Sequence, residues 1–167
     1  MKKMTENALK DAFAGESMAH MKYLAFSEIA AKDGFPRLAN LFKAIAYAEQ
    51  VHAHNHARAL GLIGPTAENI KAGIAGEAFE VEEMYPAYDA IARLQGEKRA
   101  ERAIFYAIEA EKIHKDMYQA ALEKIQAGGD IDEAEVYVCP VCGHTHYGRP
   151  SEKCPICNLP PEKYRKF

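Results

Sequence analysis

Residues 44–53, AIAYAEQVHA, form a run of small apolar residues and helix formers that also carries Glu49 and His52. On a wheel of about 100° per residue, Leu38, Leu41, Phe42, Ile45 and Leu60 make an inward stripe. Glu49, His52 and His56 fall inside that stripe, whereas Lys43, Gln50, His54 and Arg58 fall outside it. The same pattern appears again at 109–114, EAEKIH, where Ile104, Ile108, Tyr118, Leu122 and Ile125 surround Glu111 and His114. Lys115 interrupts this second stripe and is expected to snorkel.

Each Glu-x-x-His follows a segment with an inward glutamate. Leu9, Ala12, Phe13, Tyr23 and Ala30 surround Glu16, with His20 one turn on, while Met84, Ala87, Ile91 and Leu94 surround Glu80, with Glu83 about 60° to one side. Breaks at KDGFP (32–36), GLIGPT (61–66), QGE (95–97) and AGGD (127–130) predict helices over about residues 5–31, 37–60, 67–94 and 97–126. Pro86 predicts a kink in the third. Five carboxylates (Glu16, Glu49, Glu80, Glu83 and Glu111) and two histidines therefore face one interior. An unpaired buried carboxylate costs several kcal/mol against a net stability of only about 5–15 kcal/mol, so cations are required. Oxygen and imidazole donors suit two iron or manganese ions. The Glu-x-x-His spacing lets one ion take both side chains from one helical face. Glu16 precedes Glu49 by 33 residues and Glu80 precedes Glu111 by 31, a repeat of a helix pair in which each half supplies half of a two-metal site. Ala19 stands where the second half has Glu83, so one half holds a spare carboxylate, suited to a site whose ligands change with oxidation state. Tyr23 and Tyr88, each about two turns beyond its helix's glutamate, are candidates to hydrogen-bond a ligand carboxylate. His20 and His56 are read either as partners of ligands or as core histidines. His54, His144 and His146 are expected to face solvent.

After Gly128 and Gly129 the character changes to five prolines, a β-forming Val136–Val138 and no helical period. The domains are thus read as 1–133, a helical bundle, and 134–167, a small appendage too short to hold itself together without a staple. CPVC and CPIC supply it: Cys139, Cys142, Cys154 and Cys157 are spaced for one tetrahedral four-thiolate site. Thiolates accept iron or zinc alike, so the alternatives are a one-electron carrier and a structural clip. Of the 167 residues 49% are hydrophobic and the formal charge is −3, which gives no field for nucleic acid or anionic lipid. With no apolar run of about 20 residues and no apolar leader, a cytoplasmic protein is expected.

GESMAHMKY (15–23), AYAEQVH (46–52), EVEEMYPAY (80–88), EAEKIH (109–114), CPVCG and CPIC occur in one order over nearly the whole chain. In these stretches it resembles the rubrerythrin family, a mainly α, ferritin-like di-iron four-helix bundle fused to a rubredoxin-like four-cysteine domain. That resemblance implies a non-haem di-iron peroxidase that reduces hydrogen peroxide to water in oxidative-stress defence, with electrons passed through the four-cysteine iron. It implies Glu16, Glu49, His52, Glu80, Glu83, Glu111 and His114 as ligands of the two irons, with Glu49 and Glu111 bridging and Glu83 exchanging with His52 on reduction. Tyr23 and Tyr88 match the family's site tyrosines. The implied partners are hydrogen peroxide, a donor such as a rubredoxin or its reductase, and a second copy of the chain. The copies would form a head-to-tail homodimer in which the donor iron belongs to the partner chain, with helix pairs exchanged in some members. The rival reading is a ferroxidase or iron-storage protein with a zinc clip.

Overall fold

A computed structural model describes residues 1–132 and 135–167, in two compact units, Met1–Gly64 and Pro65–Phe167. The expected domain boundary at 133/134 lies outside the described residues.

The first unit is a hairpin of α1 (Lys3–Lys32) and α2 (Pro36–Leu60). The chain reverses at Gly34, whose φ of 83° a side chain would resist, and Pro36 opens α2. The Ser27 hydroxyl donates to the Ala39 carbonyl (2.8 Å) and the His20 Nδ1–H to that of Ala46 (2.7 Å), partners that converge toward the turn as antiparallel helices require. His20 is thus a tie between helices. Ala39, Ala46 and Ala53, seven residues apart, are buried with Ala57, Ala30 and Ser27, while Leu38, Leu41 and Ile45 are exposed. The expected stripe of large residues is therefore not the seam of this hairpin. Small side chains let two backbones approach closely, and the larger ones lie to either side.

The second unit contains α3 (Thr66–Phe79), a π-helical turn (Glu80–Met84), α4 (Tyr85–Gln95), α5 (Lys98–Gln126) and a small sheet. The kink expected at Pro86 is realised as the π turn just before it. Proline has no N–H for the Glu82 carbonyl, and the Tyr85 N–H bonds instead to Glu80, five residues back. Lys115 meets Glu82 at 3.0 Å, so the residue expected to snorkel is paired.

Strands β1 (Val136–Val138), β2 (Thr145–Tyr147) and β3 (Arg165–Lys166) are antiparallel in the order β2-β1-β3, with Val138 opposite Thr145. Two turns carry the cysteines. The Gly143 N–H bonds to the Cys139 carbonyl and the Asn158 N–H to that of Cys154, and both Gly143 and Asn158 have positive φ. The Cys139, Cys142, Cys154 and Tyr164 cluster is buried with Tyr106 of α5 packed against it. This segment therefore sits on α5 within the second unit.

Candidate metal centres

Glu16 on α1 and Glu49 and His52 on α2 bring ligand atoms within 4.8 Å of one another, close enough to share one ion. His52 Nδ1 lies 3.1 Å from Glu49 Oε2 and 3.8 Å from Glu16 Oε1. The antiparallel register makes this possible, and i,i+3 spacing gives His52 the same face as Glu49. Glu16 is harder to ionise than an ordinary carboxyl, because it shares a hydrogen bond with Glu49, is partly desolvated and is repelled by Glu49's charge. His52 and His56 counter this in part.

The second cluster is Glu77, Glu111 and His114, and Glu77 is the residue the sequence reading missed. His114 Nδ1 is 2.5 Å from Glu111 Oε2. The π turn explains the miss. Gly34 follows Glu16 by 18 positions, whereas Gly96, also at positive φ, follows Glu77 by 19. Glu49 and Glu111 then follow their glycines by the same 15. One residue has been inserted and the π turn absorbs it, so Glu77 is the counterpart of Glu16. A signal lay in the repeated Ala-Gly-Glu at 14–16 and 75–77, which the Glu-to-Glu interval obscured.

The remaining assignments move with it. Glu80, not Glu83, is the counterpart of Ala19 and hence the extra carboxylate. Burial and the charge of Glu111 make Glu80 harder to ionise, and nearby His114 opposes them. Glu83 is exposed and outside the clusters. Tyr88 is half-exposed, whereas Tyr85 occupies the place of Tyr23 once the inserted residue is counted. Burial, then Glu80, Glu111 and Glu77, make the Tyr85 phenol hold its proton more tightly. Tyr23 packs against Phe26 and Phe42, with ring centroids about 6 Å away.

Burial, a hydrogen bond with Glu111 and repulsion by Glu111 and Glu80 raise the Glu77 pKa from 4.5 to about 7. Over that interval the unfolded chain gives up its proton before the folded one, so stability falls as pH rises. The metal-free protein is expected to lose about 1–2 kcal/mol between pH 4.5 and 7, a figure reduced because solvent reaches the group. Iron-loaded protein should not show this loss. Thermal melts across that range, with and without metal, check it, and Glu77→Gln should flatten the metal-free curve.

In the cysteine segment, Cys139 and Cys157 Sγ are 3.5 Å apart and Cys142 and Cys154 Sγ 3.4 Å. A tetrahedral ion with bonds of about 2.3 Å needs sulfurs about 3.8 Å apart, so the cage fits with a small expansion. Burial disfavours the Cys154 thiolate, but the Tyr164 hydroxyl and the Cys157 and Ile156 amides outweigh it, and its pKa falls to about 6. One thiolate is thus ready at neutral pH. His144 is not solvent-facing as expected: it is buried, and its Nδ1 lies 2.8 Å from the Tyr164 hydroxyl. His54 and His146 are exposed.

The family model described as rubrerythrin matches residues 7–122. The chain belongs to the rubrerythrin family. The model for the rubrerythrin rubredoxin-like domain matches residues 137–165. Rubrerythrin-2 of Clostridium acetobutylicum is 42% identical, covering 98% of this chain and 97% of its own. Nigerythrin of Nitratidesulfovibrio vulgaris is 34% identical over 95% and 84%. A structure of nigerythrin in a partially reduced state aligns with a TM-score of 0.59 at 33% identity, over 98% of this chain and 86% of that one. As a rubrerythrin, this mainly α chain joins a ferritin-like domain to a rubredoxin-like one. It is an oxidoreductase with a non-haem di-iron site of carboxylate and histidine ligands and a rubredoxin-like four-cysteine iron site. Among the described residues no helix is long and apolar enough to cross a membrane.

Proposed function

We propose that this rubrerythrin reduces hydrogen peroxide to water, drawing two electrons through its four-cysteine iron. The observation that carries the reading is the presence, on one compact unit, of a carboxylate–histidine triad and a four-thiolate cage, two donor sets suited to redox metals. Nigerythrin, which this chain resembles, has been solved in mixed-valent and all-ferrous states.

In this reading Glu16, Glu49 and His52 hold one iron and Glu77, Glu111 and His114 the other. When bound, the di-iron pair supplies Lewis acidity and the two electrons that break the O–O bond. Glu80 is the carboxylate in reserve, close enough to feel Glu111 and His114. His52, with 53% of its side chain exposed and Glu16 and Glu49 beside it, is the imidazole free to come on or off. The Tyr85 phenol, which burial and the charges of Glu80, Glu111 and Glu77 make harder to ionise, is the proton donor in this reading. The reaction also consumes two protons, which reach the site from solvent along these carboxyl and phenol groups. Packing of the cysteine segment on α5 supports delivery of electrons within one chain, in place of delivery from a partner chain. A one-electron donor such as a rubredoxin or its reductase, and a homodimeric assembly, complete the proposal.

Stopped-flow mixing of the fully reduced protein tests it. Peroxide is expected to reoxidise the iron about 100-fold faster than equimolar oxygen, equivalent to about 2.7 kcal/mol of barrier. Equal rates would remove the peroxidase reading and favour iron oxidation by oxygen.

A further inference from the structure

We propose that Thr145 locks His114 from the cysteine segment, so that a metal ion held by the four cysteines strengthens metal binding by Glu77, Glu111 and His114 of the same chain. The inference rests on the reading of that triad as a metal site, and it adds a coupling between the two centres.

The hydrogen bonds run in one direction. The Thr145 hydroxyl donates to the Gly143 carbonyl at 3.0 Å. Its hydrogen being used, Oγ1 can only accept from His114 Nε2, 2.8 Å away. A neutral imidazole carries one N–H, so placing it on Nε2 leaves the Nδ1 lone pair on the side of Glu111. That is the tautomer and orientation a shared metal ion needs. Beside this contact lies a cavity of about 330 Å³ whose mainly apolar lining includes Met117, Ala121, Val136 and the rings of Tyr118 and Tyr147. His52 has no counterpart: among the described residues its ring meets carboxylates through Nδ1 and no hydroxyl.

Thr145 is in place only if the cysteine segment is folded. It lies on β2 opposite Val138, and its acceptor Gly143 belongs to the turn closed by the Gly143 N–H on Cys139. A segment of this size buries too little to hold such turns without its ion, so metal binding there is also folding. Loading the thiolates therefore sets Thr145, and Thr145 sets His114. By linkage the benefit is reciprocal.

The test uses the full chain. One equivalent of Zn(II) fills the thiolates first, and Co(II) is then titrated while its ligand-field absorption reports the carboxylate–histidine sites. Thr145→Val, nearly isosteric and well suited to a strand, is expected to weaken one Co(II) binding step about 10-fold and leave the other unchanged, within the range for losing the partner of a metal-bound histidine. Thr145→Ser should restore it. Replacing all four cysteines by serine should produce the same loss, and adding Thr145→Val to that variant should cost nothing more. Unchanged affinity in zinc-loaded Thr145→Val, or fully additive losses, overturns the proposal. Absence of any Co(II) binding by the triads in the wild type would instead remove the metal-site reading on which it rests.

Discussion

Glu77→Ala is expected to lower the iron affinity of its triad at least about 100-fold and to take peroxide reduction down with it, while Glu83→Ala stays within about twofold of the wild type. Glu77 is one of the three carboxylate and imidazole donors, among the described residues, that gather within 4.8 Å in the second unit, and Glu83 is exposed outside that cluster. Loss of fold is separable from loss of site. In the metal-free protein Glu77 is held at a pKa of about 7 by burial and by Glu111, so neutralising it relieves repulsion. The variant should therefore bind less iron yet, without metal at pH 7, be more stable, by about 1 kcal/mol. Iron analysis, reoxidation rates and metal-free melting curves provide the three readings. If Glu83→Ala lost its iron and Glu77→Ala kept it, the assignment based on the π turn would be wrong.

Cys154→Ser should abolish the visible colour of the thiolate iron and reduce donor-driven peroxide turnover by about two orders of magnitude or more. Cys154 is fully buried, and its thiolate is favoured by Tyr164 and by two backbone amides. Serine offers no comparable ligand, and without its ion the segment from 135 onward cannot bury enough surface to stay folded. The first unit, held by its alanine seam, should remain helical. Protein reduced chemically beforehand and supplied with saturating iron should still consume one peroxide in a single turnover, since the carboxylate site keeps its own ligands. Full steady-state turnover from a one-electron donor would show that electrons bypass the cysteines, and the segment would then be a structural clip.

The Glu-x-x-His pairs and the two CxxC pairs could be read directly because both are local. Three residues along a helix bring two side chains to one face whatever surrounds them, and two residues between cysteines set the span of a metal-binding turn. Counting four helices was of the same kind, since Gly34, Gly61 and Gly96 mark their ends. The stripe was less secure. A wheel ranks residues by size and polarity, but the seam of the first hairpin chose alanines, because the closest approach of two backbones excludes large side chains.

The sequence by itself determined the kinds of donor, both Glu-x-x-His pairs, the helix count, the four-thiolate cage and the repeat that pairs the halves. Tertiary structure decided which glutamate of the second half joins the cluster, which tyrosine stands beside it, that His144 is buried against Tyr164, and that Thr145 reaches His114. The reason is physical. A wheel assumes a constant turn per residue, and one inserted residue taken up as a π turn shifts every later side chain by about 100°. Contacts across 31 positions, such as His114 with Thr145, depend on how the cysteine segment settles on α5, which no local periodicity encodes.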